Sequence, residues 1–448
     1  MNSTLDHKLQ AFPPFFQTVH FIMMIKIPYG KSAVNLDLPD KNILAVLQSS
    51  RFDEPVDESE IIRRALNKPV ESESLRHLAS KKKKICIVVS DYTRATPNKL
   101  LVPPIIEALK ESGRKIDEIS ILVANGLHKP ASQGELKEFL GEEIVEEFEV
   151  INHDAEDEKS LAYVGETSFG TKVLVNRLVT ESDFIVLTGL IEPHFFAGYS
   201  GGRKAILPGV SGKETIFANH SFKMIIHPLS RYGILDGNPI HEDMVEAAKM
   251  LRKSMYLVNV VIDKKHKVIG AFAGNVFKAH VKGVNFLNKY IKVNAPTKAN
   301  IVVTSNGGYP LDRDLYQAVK GMATGELIVE KGGVIVIFAE CIDGIGRGHE
   351  MFYRLLAEAK TPKEVLERIK CEEPIKDQWE AQILARILKD VKVILVTNNI
   401  KHSMIEEMHM TPASNPEEAM EEAYRAAGKE SKIVVIPEGP YVIPAVKS

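Results

Sequence analysis

The sequence predicts an α/β protein of two domains, each built on a mostly parallel sheet. Three observations carry that prediction. Apolar runs rich in β-branched residues, Ile85-Cys-Ile-Val-Val-Ser90, Ile119–Ala124 and Asp183–Ile191, alternate with helical segments, as buried parallel strands do. The alternation restarts after a short, polar, proline-bearing crossing, Val293-Asn-Ala-Pro-Thr-Lys-Ala299. The chain, at 448 residues, is longer than one typical core fills. A larger N-terminal domain is placed at residues 24–290 and a smaller, Rossmann-like domain at 296–438. Residues 1–23 read as an extension, and 439–448 as a tail that returns to the N-terminal domain.

Taken in order, the extension carries Phe12-Pro-Pro-Phe-Phe16 and lacks the basic start and small-residue cleavage site of a secretory signal. Met24-Ile-Lys-Ile-Pro-Tyr-Gly30 reads like a natural start and as a short strand. Val34–Leu38 is a second alternating piece. A helix opens at Asp57 with acidic residues in its first turn, where they suit the helix dipole. Helix 98–112 follows the strand Ile85–Ser90, and an acidic helix over 133–147 follows Ile119–Ala124. Helix 239–253, strands Met255–Ile262 and Lys267–Phe272, and helix 275–290 complete the first half. The second half supplies four strands, Ile301–Thr304, Val334–Phe338, Val391–Val396 and Lys432–Ile436, with helices between them. Gly344-Ile-Gly-Arg-Gly348 mimics a nucleotide loop, but its spacing does not match G-x-G-x-x-G.

Composition narrows the function classes. Lys and Arg total 57 against 59 Asp and Glu, a net charge of −2, so there is no electrostatic footprint for nucleic acid. The run Lys81–Lys84 directly precedes a strand and reads as its solvated entry. Three scattered cysteines form neither a disulfide framework nor a metal pair and fit a reducing cytoplasm. Cys86, inside an apolar strand, reads as a core residue. No apolar run reaches the roughly 18–20 residues needed to span a bilayer.

The chemistry gathers at strand ends. Asp91 and Arg94, His128, and His194 each lie just past the carboxyl end of an apolar strand, where parallel α/β sheets bind ligands. Two histidines on one rim make an acid/base pair suited to neutral pH, and an arginine beside them suits a carboxylate. The last of these strands leads into Glu192-Pro-His-Phe-Phe-Ala-Gly-Tyr-Ser-Gly-Gly-Arg-Lys204 and on to Asn219-His220. Gly201 and Gly202 would let backbone approach a ligand closely, with Arg203 and Lys204 on their flank. The stretch is not a P-loop: after Gly209-Val-Ser-Gly212-Lys213, Glu214 stands where Ser or Thr must hold magnesium. Neither His241 nor His349 starts an H-E-x-x-H zinc motif, and His7, His77, His153 and His266 read as surface residues. In the second half Tyr316 and Lys320 share a helix face, with Gln317 beside them.

The stretch from Glu192 to His220 resembles the active-site segment of the nickel-dependent lactate racemase family. Asp91-x-x-Arg94, Gly126-x-His128, Tyr316-Gln317-x-x-Lys320 and the single tryptophan in Asp377-Gln-Trp379 support the resemblance, in matching order, over nearly the whole chain after Met24. It implies a nickel-pincer nucleotide (pyridinium-3-thioamide-5-thiocarboxylic acid mononucleotide) attached covalently to Lys204, with His220 as the nickel ligand. It implies His128 and His194 as paired bases, and Arg94 and Lys320 as holders of the substrate carboxylate. Tyr316 and Gln317 would lie beside the substrate, and Asp91, Gly201, Gly202, Arg203 and Trp379 around the cofactor. A cleft between the domains would hold the site, and separate maturation proteins would make the cofactor. The implied reaction is interconversion of D- and L-lactate through a 2-oxoacid, with another 2-hydroxyacid as the alternative substrate. A cofactor carrier without activity, or an NAD-dependent dehydrogenase, are readings from other classes. The paired bases argue against the carrier.

Overall fold

The computed structural model describes residues 22–52 and 57–447. The extension, up to residue 21, therefore lies outside the described residues.

Two six-stranded sheets organise the chain. The first runs Val268–Gly274, Ser254–Ile262, Phe184–Leu190, Ile85–Ser90, Ile119–Ala124, Glu149–Asn152. All its neighbours pair parallel except Val268–Gly274, which is antiparallel on one edge. Phe184–Leu190 is buried along its whole length. One face packs against helices Glu58–Asn67 and Asn98–Glu111, the other against Pro239–Met250 and Val276–Ile291. A sheet covered on both faces has no side for polar residues, which is why these strands read as runs rather than alternations.

The second sheet is wholly parallel and runs Thr411–Ala413, Lys392–Val396, Val329–Phe338, Ala299–Ser305, Ile433–Ile436, Ile43–Val46. It has two strands more than the four expected. Thr411–Ala413 is three residues long and contains a proline, too little pattern to read as a strand. Ile43–Val46 comes from the other end of the chain. Residues 24–46, placed by sequence in the N-terminal domain, thus go with the second sheet, together with the last two residues of the extension, Ile22 and Met23. The hairpin Ile22–Tyr29/Ser32–Pro39 packs Ile25, Ile27, Leu36 and Leu38 against Val303, Val336 and Phe338. At the other terminus Ile443–Val446 pairs in parallel with Lys292–Ala295. The helix expected over 133–147 is two helices, Gln133–Leu140 and Glu142–Glu147. Gly141, at φ 100°, breaks it in a conformation other residues adopt only with strain.

Topology gathers the site. Phe184–Leu190, Ile85–Ser90 and Ile119–Ala124 are adjacent and parallel, so their carboxyl ends share one edge. From the second sheet, helix Leu315–Glu326 meets that edge. The Tyr232 hydroxyl donates to the Lys320 carbonyl at 3.2 Å, and the Gln382 amide donates to the Phe222 carbonyl at 2.9 Å.

The loop that follows Leu190 is not a surface feature. The Arg203 side chain is 1% exposed, and its guanidinium donates to the carbonyls of Ala197 and Gly201 at 2.8 and 3.2 Å. His280, 2% exposed, donates from Nε2 to the Ser200 carbonyl at 2.8 Å. Asn259, the one polar side chain in the buried part of its strand, accepts from the Gly202 amide at 2.7 Å. His153 also departs from its surface reading: it is buried, donates to the Ser211 carbonyl at 3.0 Å and accepts from Asn176 at 3.1 Å. Each partner satisfies backbone or ring atoms that burial would otherwise leave bare.

Burial first, and then the Arg203 charge, hold the His280 pKa down to about 3. The folded protein therefore binds fewer protons than the unfolded chain between that value and the ordinary histidine pKa. Stability from this group is complete above pH ~6.5 and falls as pH drops, by about 1 kcal/mol per pH unit. The unfolding free energy of the apoprotein should decline from pH 6.5 to 5, and less steeply in His280→Gln. Denaturant titrations across that range check it; equal slopes would show that His280 does not carry the effect.

Candidate active site

His128 stands at the rim on the turn after Ile119–Ala124, with its side chain 44% exposed. Its Nδ1 lies 2.8 Å from Oδ2 of Asp91, which is buried at the end of the neighbouring strand. Thr93 Oγ1 donates to the other Asp91 oxygen at 2.9 Å. Burial works against the Asp91 charge. The hydrogen bond and charge of His128, with Arg94 and Thr93, outweigh it and hold the pKa below the ordinary carboxylate value. The carboxylate thus accepts a hydrogen bond from Nδ1–H and leaves Nε2 of His128 to act on a ligand. Sequence reasoning placed Asp91 around a cofactor; the geometry makes it the partner of His128.

His194 is half-buried, stacked on Phe195 and edge-on to Phe196, with ring centroids 5.0 and 4.5 Å apart. The Ala197 amide donates to its Nδ1 at 3.3 Å, so the neutral ring carries its proton on Nε2. That nitrogen lies 3.3 Å from Nζ of Lys204. Burial, then the charges of Lys204, Arg94 and Lys320, push the His194 pKa well below the ordinary value. Burial, then Arg203 and Arg94, push the Lys204 amine well below its own. A neutral imidazole Nε2–H facing a neutral amine is a consistent pair: the ring donates and the amine accepts. Lys320 completes the cluster from the second half. Its ammonium donates to Gln317 Oε1 at 2.6 Å, and burial with Arg94 lowers its pKa against the pull of Glu380 and Glu192.

His220 caps helix Lys213–Asn219 and is 5% exposed. Phe196 and Trp379 stand edge to face with its ring, at centroid distances of 5.0 and 5.5 Å. Burial, then the Lys204 charge, bring its pKa to about 3, and its Nδ1 is buried with no hydrogen-bond partner. A neutral imidazole with an unmatched buried nitrogen is the state a metal ligand requires. Among the described residues no three His, Cys, Asp or Glu side chains are grouped to hold a metal, so His220 stands alone. Trp379 Nε1 donates to the Tyr316 hydroxyl at 3.0 Å, which ties the second-half wall together.

Three residues expected around a cofactor turn inward instead. Arg203 has its guanidinium committed to backbone carbonyls. Gly201 and Gly202, at φ 78° and 58°, approach protein: a Cβ would meet Asn259 Oδ1 at 2.6 Å and the His280 ring at 2.8 Å. The glycine pattern was visible, but spacing alone cannot tell approach to a ligand from approach to a buried side chain. Sequence reasoning also missed Asn259 and His280 and the roles of Glu380, Asp377 and His349. Asn259 had a signal, a lone polar residue within an apolar strand; the rest act across distances that no local pattern spans.

Comparisons with known proteins place the chain among its relatives. The model of the lactate racemase N-terminal domain matches residues 29–233, and that of the lactate racemase C-terminal domain matches 294–444. A lactate racemase of Thermoanaerobacterium thermosaccharolyticum is 44% identical over 424 residues, 94% of this chain and 98% of that protein. One of Lactiplantibacillus plantarum is 39% identical over 430 residues, covering 94% and 100%. The solved lactate racemase apoprotein of Thermoanaerobacterium thermosaccharolyticum superposes with a TM-score of 0.90 at 43% identity, covering 94% of this chain and 100% of that one. A crystal structure of a Thermotoga maritima protein shares the fold at a TM-score of 0.64 and 21% identity, covering 88% and 99%. With both halves matched by their own models and relatives aligned almost end to end, the chain belongs to the lactate racemase family.

Proposed function

We propose that this protein is a racemase that interconverts D- and L-lactate. The observation that carries the reading is the joining of two differently placed imidazoles, His128 and His194, with the cations Arg94 and Lys320 at one sheet edge. Racemisation requires a base for each face of one carbon, and a fixed carboxylate while the rest of the molecule reorients. Arg94 suits a bidentate carboxylate contact, and Lys320 supplies a second positive charge from the opposite half. His128 would exchange the substrate hydroxyl proton at Nε2 in one direction, with Asp91 stabilising the imidazolium that forms. His194, kept neutral by its surroundings, would do so for the other enantiomer. Phe195 and Phe196 pack on His194 and Trp379 on His220, and these rings would keep water from the reacting carbon.

The residues present fit a nickel-pincer nucleotide. Lys204 offers the neutral amine that covalent attachment needs, and His220 offers one neutral imidazole to a soft metal centre that needs no further protein ligands. When bound, the group would supply a reversible hydride acceptor. The gap between the halves would hold it, with domains taken at about residues 47–291 and 296–438. Maturation proteins would provide it in the cytoplasm. No helix of the described residues is long and apolar enough to cross a membrane.

Protein co-produced with cofactor maturation proteins and nickel should gain mass over the bare chain, and Lys204→Ala should not. The wild-type protein should racemise D- and L-lactate. A mass gain without lactate turnover would move the substrate to another 2-hydroxyacid; no gain from competent machinery would overturn the cofactor assignment. His128→Ala should keep the added mass and lose roughly 10²–10⁴-fold in kcat. Asp91→Asn should lower kcat by less than that. Lactate racemisation assays beside intact-mass spectra separate lost chemistry from lost cofactor.

A further inference from the structure

The second-half wall of the cleft depends on a pair of residues that touches neither end of it. The His349 ring lies flat on Tyr316, with centroids 3.7 Å apart and planes 7° from parallel. Its Nδ1 lies 3.0 Å from Oδ2 of Asp377. Asp377 is 2% exposed and opens helix Gln378–Leu388, yet its carboxylate does not cap that helix. An aspartate at this position ordinarily accepts from the helix's own first amides. Here its backbone adopts the left-handed conformation, φ 69°, uncommon for a residue with a side chain. One carboxylate oxygen meets His349; the other, Oδ1, is buried with no well-formed hydrogen bond, and the carboxylate faces the Tyr316 hydroxyl as well.

The glycine loop 344–348 has its explanation here. The carbonyls of Gly344 and Ile345 accept from the amides of Leu315 and Tyr316 at 3.0 and 3.1 Å, which seats the loop on the start of helix Leu315–Glu326. Gly346, at φ 116°, approaches His349 so closely that a Cβ would stand 3.0 Å from its ring. The imidazole is therefore held between the loop backbone and the Tyr316 ring, with Asp377 fixing its rotation. Tyr316 in turn accepts from the Trp379 indole, and Trp379 stands against His220.

We infer that His349 and Asp377 are a positioning pair: together they fix the plane of Tyr316, and through its hydroxyl they set the orientation of Trp379. Their reach to His220 rests on the metal-ligand reading above; their hold on Tyr316 and Trp379 does not. The pair touches no reacting atom and is not catalytic.

Trp379 is the only tryptophan in the sequence, so intrinsic emission reads this contact directly, in full-length apoprotein and without cofactor. At a temperature well below unfolding, His349→Ala and Asp377→Asn should each shift the emission in the direction that Tyr316→Phe shifts it. In the Tyr316→Phe background, His349→Ala should add nothing, because both act through the same hydroxyl. His349→Phe, which keeps the stack and removes the hydrogen bond to Asp377, should shift emission less than His349→Ala. A residue that merely stabilised the fold would lower the melting temperature and leave the emission of the folded protein unchanged. Unchanged emission in both His349→Ala and Asp377→Asn, or shifts that add fully to that of Tyr316→Phe, would overturn the proposal. The result stands apart from lactate turnover, so failure of the racemase reading would not be mistaken for failure of this one.

Discussion

Desolvation at the carboxyl edge of the first sheet is the constraint on which the site depends. Three nitrogen bases, His194, Lys204 and His220, lie within reach of one another, and the first two also of Arg94 and Lys320. In water most of these groups would be charged and would repel. Burial resolves the conflict by making the charged form the costly one, so the site keeps positive charge on Arg94 and lets the amine and the imidazoles stay neutral. Lone pairs rather than ammonium and imidazolium protons are then available on Lys204 and His220, which is what attachment and metal ligation would need. His128 takes the opposite route: it is exposed, and a buried carboxylate stands behind it. The two bases thus reach usable states by different physics, one through burial and one through a partner.

That neutrality requires a loop whose backbone can sit deep without bare polar atoms. The segment 197–212 meets this through Arg203, His280, Asn259 and His153, each supplying a donor or acceptor to main-chain atoms. Arg203 also keeps a positive charge beneath Lys204, and that charge is the second cause, after burial, of the lowered amine pKa. A residue that looks like a ligand-facing cation in sequence therefore acts from below, on the lysine rather than on the ligand. Burying a guanidinium is costly unless its donors are used, and here two of its nitrogens reach carbonyls while Nε has no partner.

Much of this was legible in the chain. Runs such as Ile85–Ser90 and Asp183–Ile191 expose two-sided burial directly, because their interiors are almost wholly apolar and the one polar side chain there, Thr188, spends its hydroxyl on the Val88 carbonyl, and parallel topology then puts Asp91, His128 and His194 on one edge. The long stretch from Glu192 to His220 was legible as chemistry through its residue types. Other features were not, for physical reasons. Ile43–Val46 and Thr411–Ala413 are too short for a period to show, and their partners lie far along the chain. The inward orientation of Gly201, Gly202 and Arg203 depends on Asn259 and His280, which arrive from a separate strand and helix. The Asp377–His349 contact depends on a left-handed residue that no aspartate announces.

The second half of the chain supplies what the first cannot. An acid/base pair and an amine on one sheet edge leave the opposite side of a small substrate unbounded; Lys320, Tyr316 and Trp379 close it from another sheet. The seam beside them adds directional polar contacts to an apolar cluster that both halves share. The Tyr232 hydroxyl meets the Lys320 carbonyl, Gln382 meets the Phe222 carbonyl, and Arg231 stands 3.9 Å from Glu326, which Arg386 grips with two nitrogens. Directional contacts of this kind hold one alignment of the two halves more strictly than an apolar seam, which tolerates sliding. In the proposed reading alignment matters because Lys320 and Arg94 come from opposite sides and would hold one carboxylate together. A small shift between the halves would separate those charges while leaving each sheet, and the neutral bases on the first, intact.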